Sequence, residues 1–388
     1  MSPVPSIPSG PASRPRVTPG RRWPRRPTAG SVILLVLVTV LLAAFLLTKF
    51  VSRAGTELLA DARAGDQARL RREAYSALEV TLAVLADMRA IDNGLFSPAQ
   101  GWDDPLAYAG YEPPEGTRIE VGFEDESGKI SLPRADPVLL ESIFGLLGVG
   151  AAEAEKATDA LLVWTRTDYA PTSLDLDGSN YERAELPHNA AHRPLRSYAE
   201  LASVEVVRDL LFDENGRPNA LAREFAANVS LYSFGQTNLN AASPAVLLAA
   251  GLVDGQVQAL RDFRLRDRQG GGLGFFRSAG DAAAVLGGNA PLQGLGAEIR
   301  ALRVNVTVRE GLASYRLSAV VAPPNGASVA EAAPEAAARA QANAATAGSA
   351  PSAAETAVPD IKKLDYPFKV LEIREDAESP APLPESSN

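Results

Sequence analysis

The sequence has no cysteine and only two histidines in 388 residues. Disulfides, thiolate metal sites and thiol nucleophiles are therefore excluded, and packing must hold the chain, helped at most by a hard cation. It also lacks a Gly-x-Ser-x-Gly elbow, a P-loop and a Gly-x-Gly-x-x-Gly following a strand, and no other catalytic constellation stands out. The chain is accordingly read as non-enzymatic. Acidic residues are missing from the first 30 positions, which carry Arg14, Arg16, Arg21, Arg22, Arg25 and Arg26. With a net charge of -9 overall, the remainder stands at -15. An acidic exterior repels nucleic acid and favours cationic partners or divalent metal.

What is present begins where the basic stretch ends. Gly30 leads directly into the apolar run Ser31 to Leu47, 17 residues that extend past Lys49 through Phe50 and Val51. As a helix this run covers roughly 26 to 31 Å, about one bilayer core. Six arginines resist translocation, so the N-terminus is expected in the cytoplasm and everything after Val51 beyond it. A secretory signal peptide would have a shorter apolar part ending at a small-residue cleavage site. Here the helical period continues instead: Leu58, Leu59, Ala62, Leu70, Ala74, Leu78, Leu82 and Leu85 recur at three and four, with Arg69, Arg72, Glu73, Ser76, Glu79 and Asp87 on other faces. The spacing predicts one long helix, about 55 to 60 residues, that leaves the membrane and docks on a globular body.

Trp102, Asp103 and Asp104 then open a Pro/Gly/Tyr-rich loop. Thr117 to Phe123 alternates as a strand, with Lys129 to Leu132 as its expected hairpin partner across the turn residues 124–128. Helical patterns dominate from Pro137 to about residue 290, including Val138 to Leu147, Ala151 to Trp164 and Tyr198 to Leu211. Ser243 and Pro244 read as N-cap and first helical residue of a short helix ending at Gly251, and Asp254 caps another. Leu302 to Val308 and Tyr315 to Val321 alternate around Glu310-Gly311 as a hairpin. A strand returns at Tyr366 to Ile373. Strands before and after a helical block predict an α+β chain with a helical domain inserted into its body.

Three features together resemble the K-type minor pseudopilin of the bacterial type II secretion system. They are the basic leader ending in Gly30 before an apolar helix, the block Asn238-Leu239-Asn240-Ala241-Ala242-Ser243-Pro244-Ala245-Val246-Leu247, and the large helical insertion. The stretch from Asn189 through Pro194-Leu195 to Glu200-Leu201 is similar to a second family signature. The resemblance implies a pilin-like long N-terminal helix, transmembrane at its start, packed on an antiparallel sheet with a large inserted all-helical domain. It divides the chain into a basic leader (1–30), the N-terminal helix (31–95), the first part of the body (96–132), the insertion (133–292), C-terminal strands (293–321 and 365–376), an Ala/Pro-rich disordered insertion (322–364) and an acidic tail (377–388). Other pilin-like proteins carry glutamate five residues after the cleavage point, where this chain has Leu35. A carboxylate in hydrocarbon costs about 2.5 kcal/mol or more unless partnered, so a subunit with no neighbour above it can omit the acid.

The resemblance further implies a single-pass inner-membrane protein with a periplasmic C-terminal domain, cut by prepilin peptidase between Gly30 and Ser31 and methylated on the new amino terminus. It would sit at the pseudopilus tip with I- and J-type minor pseudopilins, beside the major pseudopilin and the inner-membrane assembly platform. No cofactor is required. The loop holding Asp168, Asp175, Asp177 and Gly178 gathers carboxylates beside a glycine and suits calcium. His188 and His192, four apart, have a spacing used by zinc, but Pro187 and Pro194 bracket them and favour ordinary loop histidines. The asparagines of the 238–247 block suit turns that satisfy backbone groups, so Asn238, Leu239, Asn240, Ser243 and Pro244 are read as structural. A reading from another class is a membrane-anchored DNA-binding protein, motivated by the paired short helices of 238–263 and by Arg261, Arg264, Arg266 and Arg268.

Overall fold

The computed structural model describes residues 29–173, 190–270, 273–287, 290–311, 313–331 and 366–375. Asp175, Asp177, His188, most of the basic leader, most of the Ala/Pro-rich tract and the acidic tail lie outside them. The helices are α1 (Ala29–Asp92), α2 (Pro105–Tyr108), α3 (Pro137–Leu146), α4 (Ala151–Thr165), α5 (Glu205–Leu211), α6 (Ala220–Asn228), α7 (Pro244–Ala249), α8 (Asp254–Gly270) and α9 (Ala279–Leu286). The strands are β1 (Thr117–Asp125), β2 (Ile130–Ser131), β3 (Val229–Ser230), β4 (Tyr232–Ser233), β5 (Thr237–Asn238), β6 (Leu295–Gly296), β7 (Leu302–Glu310), β8 (Ala313–Ala322), β9 (Ser328–Val329) and β10 (Lys369–Glu375).

The chain divides into one unit ending at Ala64 and a second beginning at Gly65. In the first, the 27 residues Val32–Leu58 form a helical segment long and apolar enough to cross a membrane. At 1.5 Å per residue it spans about 40 Å. Every large apolar side chain from Val32 to Val51 is exposed, an arrangement that water penalises and lipid does not. Thr39 and Thr48 donate their hydroxyls to the carbonyls of Val36 and Ala44 within the same helix, so neither needs an outside partner.

In the second unit, Leu70, Ala74, Ala77, Leu78 and Leu85 bury one stripe of α1 in a shared core with a four-stranded antiparallel sheet. Its strand order is β1-β7-β8-β10. Alternation sets the packing face: Leu302, Val304, Val306 and Val308 of β7 enter this core, while Arg303, Asn305 and Thr307 point the other way. Trp102 stands edge-on to Phe123 of β1 at 4.9 Å between ring centroids and closes one end. At the other, Glu375 of β10 accepts from Arg71 and from the Tyr75 hydroxyl, tying the last strand to α1.

β7 and β8 form the expected hairpin, with Val306 opposite Leu317. β1 does not pair with residues 129–132. Its nine residues run antiparallel to β7, Thr117 opposite Glu310 and Asp125 opposite Leu302. A buried 3-10 turn, Glu126–Gly128, carries the chain off the sheet edge instead, and β2 pairs in parallel with β3. Two neighbouring strands of one sheet are thus separated in sequence by everything between Asp125 and Leu302.

That intervening segment forms a helical block with its own core, built on Phe144, Leu161, Phe225, Leu247 and Phe276. The core also takes in Ile130, Leu132, Leu295 and Ala297, just outside the 133–292 limits expected for it. Besides helices the block holds the parallel ladders β2–β3 and β5–β6. The stretch expected as one helix from Tyr198 to Leu211 is a 3-10 turn, Tyr198–Ser203, followed by α5. Residues after β8, expected to begin the Ala/Pro-rich tract, first turn back through Pro323 so that β9 pairs with β4.

Candidate functional site at the junction of sheet and helical block

The asparagine-rich block and the turn leaving β1 meet at one place. Asn238, wholly buried on β5, gives one amide hydrogen to the Phe96 carbonyl at 3.1 Å and the other to Asp125 Oδ2 at 2.6 Å. Its own oxygen accepts from the backbone N–H of Asn240 at 3.0 Å, so the side chain has no unused polar atom. Through this residue the helical block holds both the end of β1 and the loop that follows α1. Asn240 repeats the logic inside the block: its amide donates to the carbonyls of Phe276 and Ala297, and its oxygen accepts from Phe276 N–H at 2.7 Å.

The rest of the block supports these two asparagines. Leu239 is fully buried in the helical core. Ser243 caps α7, its hydroxyl accepting from Val246 N–H and donating to Asn228 Oδ1 at 2.5 Å, with Pro244 as the first helical residue. Arg264 of α8 donates to the carbonyls of Leu239 and Ala242. Burial and the nearby Arg261 push its guanidinium down to about 10. Its charge is thus directed inward, away from any phosphate.

A group of charged and polar residues that sequence reasoning passed over completes the junction. Asp125 Oδ1 accepts from the Ser127 backbone N–H at 2.8 Å and its hydroxyl at 2.5 Å. Glu126 is fully buried and accepts from Arg303 Nε at 2.9 Å and Nη2 at 2.6 Å, from Ser230 at 2.9 Å, and lies 3.3 Å from Lys129 Nζ. Lys129 is itself buried, 2.6 Å from Glu124 and bonded to the Ala226 carbonyl. Burial alone would raise the Glu126 carboxyl, but Lys129 and Arg303 outweigh it and hold the group below the usual range. Asp125 differs. Burial raises it to about 6 against the hydrogen bonds from Ser127 and Asn238, and the neighbouring Glu126 adds to the rise. In the sequence, Glu124 to Gly128 reads only as turn-forming residues. Nothing local reveals that Glu126 is enclosed by Arg303 and Ser230 or that Asp125 is bonded by Asn238, all over a hundred residues away.

Gly128 lets the turn and the block touch. A Cβ at this position would lie 2.8 Å from Ala241 Cβ and 3.0 Å from its carbonyl carbon. Such contacts are tighter than side chains tolerate without displacement.

The other expected sites are dispersed. Gly30 and Ser31 fall in the first turns of α1. Asp168 is exposed at the mouth of its loop, and Asp175 and Asp177 lie outside the described residues. The acid that organises this loop is Asp159 of α4, which sequence reasoning missed: it accepts from the Tyr169 hydroxyl at 2.5 Å, from Thr172 N–H at 2.8 Å and from Ser173 N–H at 2.6 Å. Burial would raise Asp159, but these bonds, led by Ser173, hold it below its ordinary value. Among the described residues no group of three His, Asp or Glu side chains is placed to hold a metal. His192 is exposed, with its Nδ1 3.4 Å from the Arg166 carbonyl, and His188 lies outside the described residues.

No family model and no curated protein matches the chain. Among solved structures it is similar to a chain of the crystal structure of the GspK-GspI-GspJ complex from the enterotoxigenic Escherichia coli type 2 secretion system, at 16% identity and a TM-score of 0.47, covering 69% of this chain and 97% of that one.

Proposed function

We propose that the chain is a non-enzymatic minor pseudopilin of the K type, a tip subunit that helps initiate and cap the pseudopilus of a type II secretion system. The observation that carries the reading is the placement of the helical block between β1 and β7, adjacent strands of the sheet on which α1 packs. A helix-and-sheet body with a bulky insertion at that point suits the end of a fibre better than its middle. Leu35 in place of an acid early in the span supports the same position, since a terminal subunit has no neighbouring amino terminus to pair with. The apolar segment Val32–Leu58 supports anchorage in the inner membrane, with the body on the periplasmic side and the arginines behind it. I- and J-type subunits are the partners this reading requires. Calcium at the loop of Asp168, Asp175 and Asp177 belongs to the same proposal.

Two measurements test it. Gly30→Leu is expected to block processing, leaving a slower-migrating precursor on a gel; mature protein of unchanged mobility would count against it. The full chain in detergent is expected to retain co-expressed I- and J-type subunits on an affinity matrix. Recovery of neither partner would refute the assembly role.

A further inference from the structure

We propose that the junction around Asp125 is a proton-dependent latch between the sheet and the helical block, tighter in mild acid and looser at neutral pH. The geometry rests on two adjacent acids, Glu126 fully buried and Asp125 half-buried, with unequal partners. The cations of the junction are taken up by the other carboxylates: Arg303 of β7 and Lys129 of the turn serve Glu126 and Glu124, and Arg300 pairs with Glu298 at 2.9 Å. Tyr232 of β4 donates to Glu372 of β10, and Tyr198 to the Val229 carbonyl. Among the described residues Asp125 has neutral donors only, from Ser127 and Asn238.

Both protonation states fit these contacts. Ionised, Asp125 accepts all three bonds but carries an uncompensated charge beside Glu126. Protonated, Oδ1–H can donate to Ser127 Oγ across the same 2.5 Å, because a hydroxyl reverses roles freely, while Oδ2 goes on accepting from Asn238. Ser127 Oγ also accepts from the Arg300 backbone N–H at 2.9 Å, which fixes it in place for either role. The sign follows from a carboxylate with neutral donors set beside a second carboxylate, and the upward displacement of Asp125 from 3.8 to about 6 agrees with it. A folded state that prefers the protonated acid has this contribution in full below pH 3.8 and loses it as pH rises through about 6. The Asn238 bond persists but then ties the block to a half-buried charge.

The full chain in detergent provides the test. Backbone exchange at Ser127 and Asn240, corrected for the intrinsic pH dependence, is expected to speed up between pH 4.5 and 7.5 by up to about twentyfold, the part of a tenfold-per-unit displacement that falls inside this window. Amides in the packed part of α1 serve as the control and are expected to stay flat. Asp125→Asn should abolish the pH dependence at the junction. Because that variant sets an amide N–H against Asn238, the deciding measurement is the carbon-13 titration of the Asp125 carboxyl in the unaltered chain, with an expected midpoint near 6. A midpoint below about 4.5, or junction exchange that follows the control amides at every pH, would overturn the latch.

Discussion

Asn238→Ala tests how much of the attachment between sheet and helical block passes through one side chain. The substitution removes the bond to the Phe96 carbonyl, the bond to Asp125 Oδ2 and the bond accepted from Asn240 N–H. Neutral hydrogen bonds contribute about 0.5–1.5 kcal/mol each and bonds to a charged group about 1.5–3, and the site is too enclosed for water to replace them freely. The expected loss is therefore about 3–5 kcal/mol. Chemical unfolding of the detergent-solubilised chain, followed by near-UV circular dichroism, measures it. A double-mutant cycle with Asp125→Ala should return a coupling above about 1 kcal/mol, since the two side chains share a bond. Asn238→Asp is expected to be worse than Ala at neutral pH, because it sets a carboxylate against Asp125, and to recover partly in acid. A loss below about 1 kcal/mol for Asn238→Ala, or strict additivity in the cycle, would refute the assignment of Asn238 as the link.

Two further outcomes follow from the same junction. Glu126→Gln removes the buried one of two carboxylates that serve Arg303 and Lys129, leaving them Glu124, and should cost about 3 kcal/mol, whereas Arg53→Ala, which breaks the exposed pair with Glu57, should change stability by less than about 1; equilibrium unfolding of the two variants compares them. Gly128→Ala forces a Cβ to within 2.8 Å of Ala241 and should cost about 1–3 kcal/mol, read as a lowered Tm, with Ala241→Gly in the same chain restoring part of it.

Much of the architecture was legible because it depends on periodicity. The apolar span, the stripe Leu70, Ala74, Leu78 and Leu85, and the alternating β7–β8 hairpin are local patterns whose buried faces follow from spacing alone. The Ser243-Pro244 helix start was equally readable, since a cap needs only its own next three residues. The partner of β1 was not. Proximity favoured residues 129–132, but β7 offers an edge that satisfies nine residues of backbone, and it lies beyond the whole helical block.

By itself, then, the amino-acid sequence determined a membrane-spanning length of helix, the alternation of the sheet, the helical character of the insertion and the need of the 238–244 segment for capped turns. How deeply each acid sits, which is met by cations and which by neutral donors was decided by tertiary structure. The reason is physical: periodicity and capping are interactions between residues a few positions apart, while the environment of Asp125 and Glu126 is made by Ser230, Asn238 and Arg303, brought together only when the block closes on the sheet.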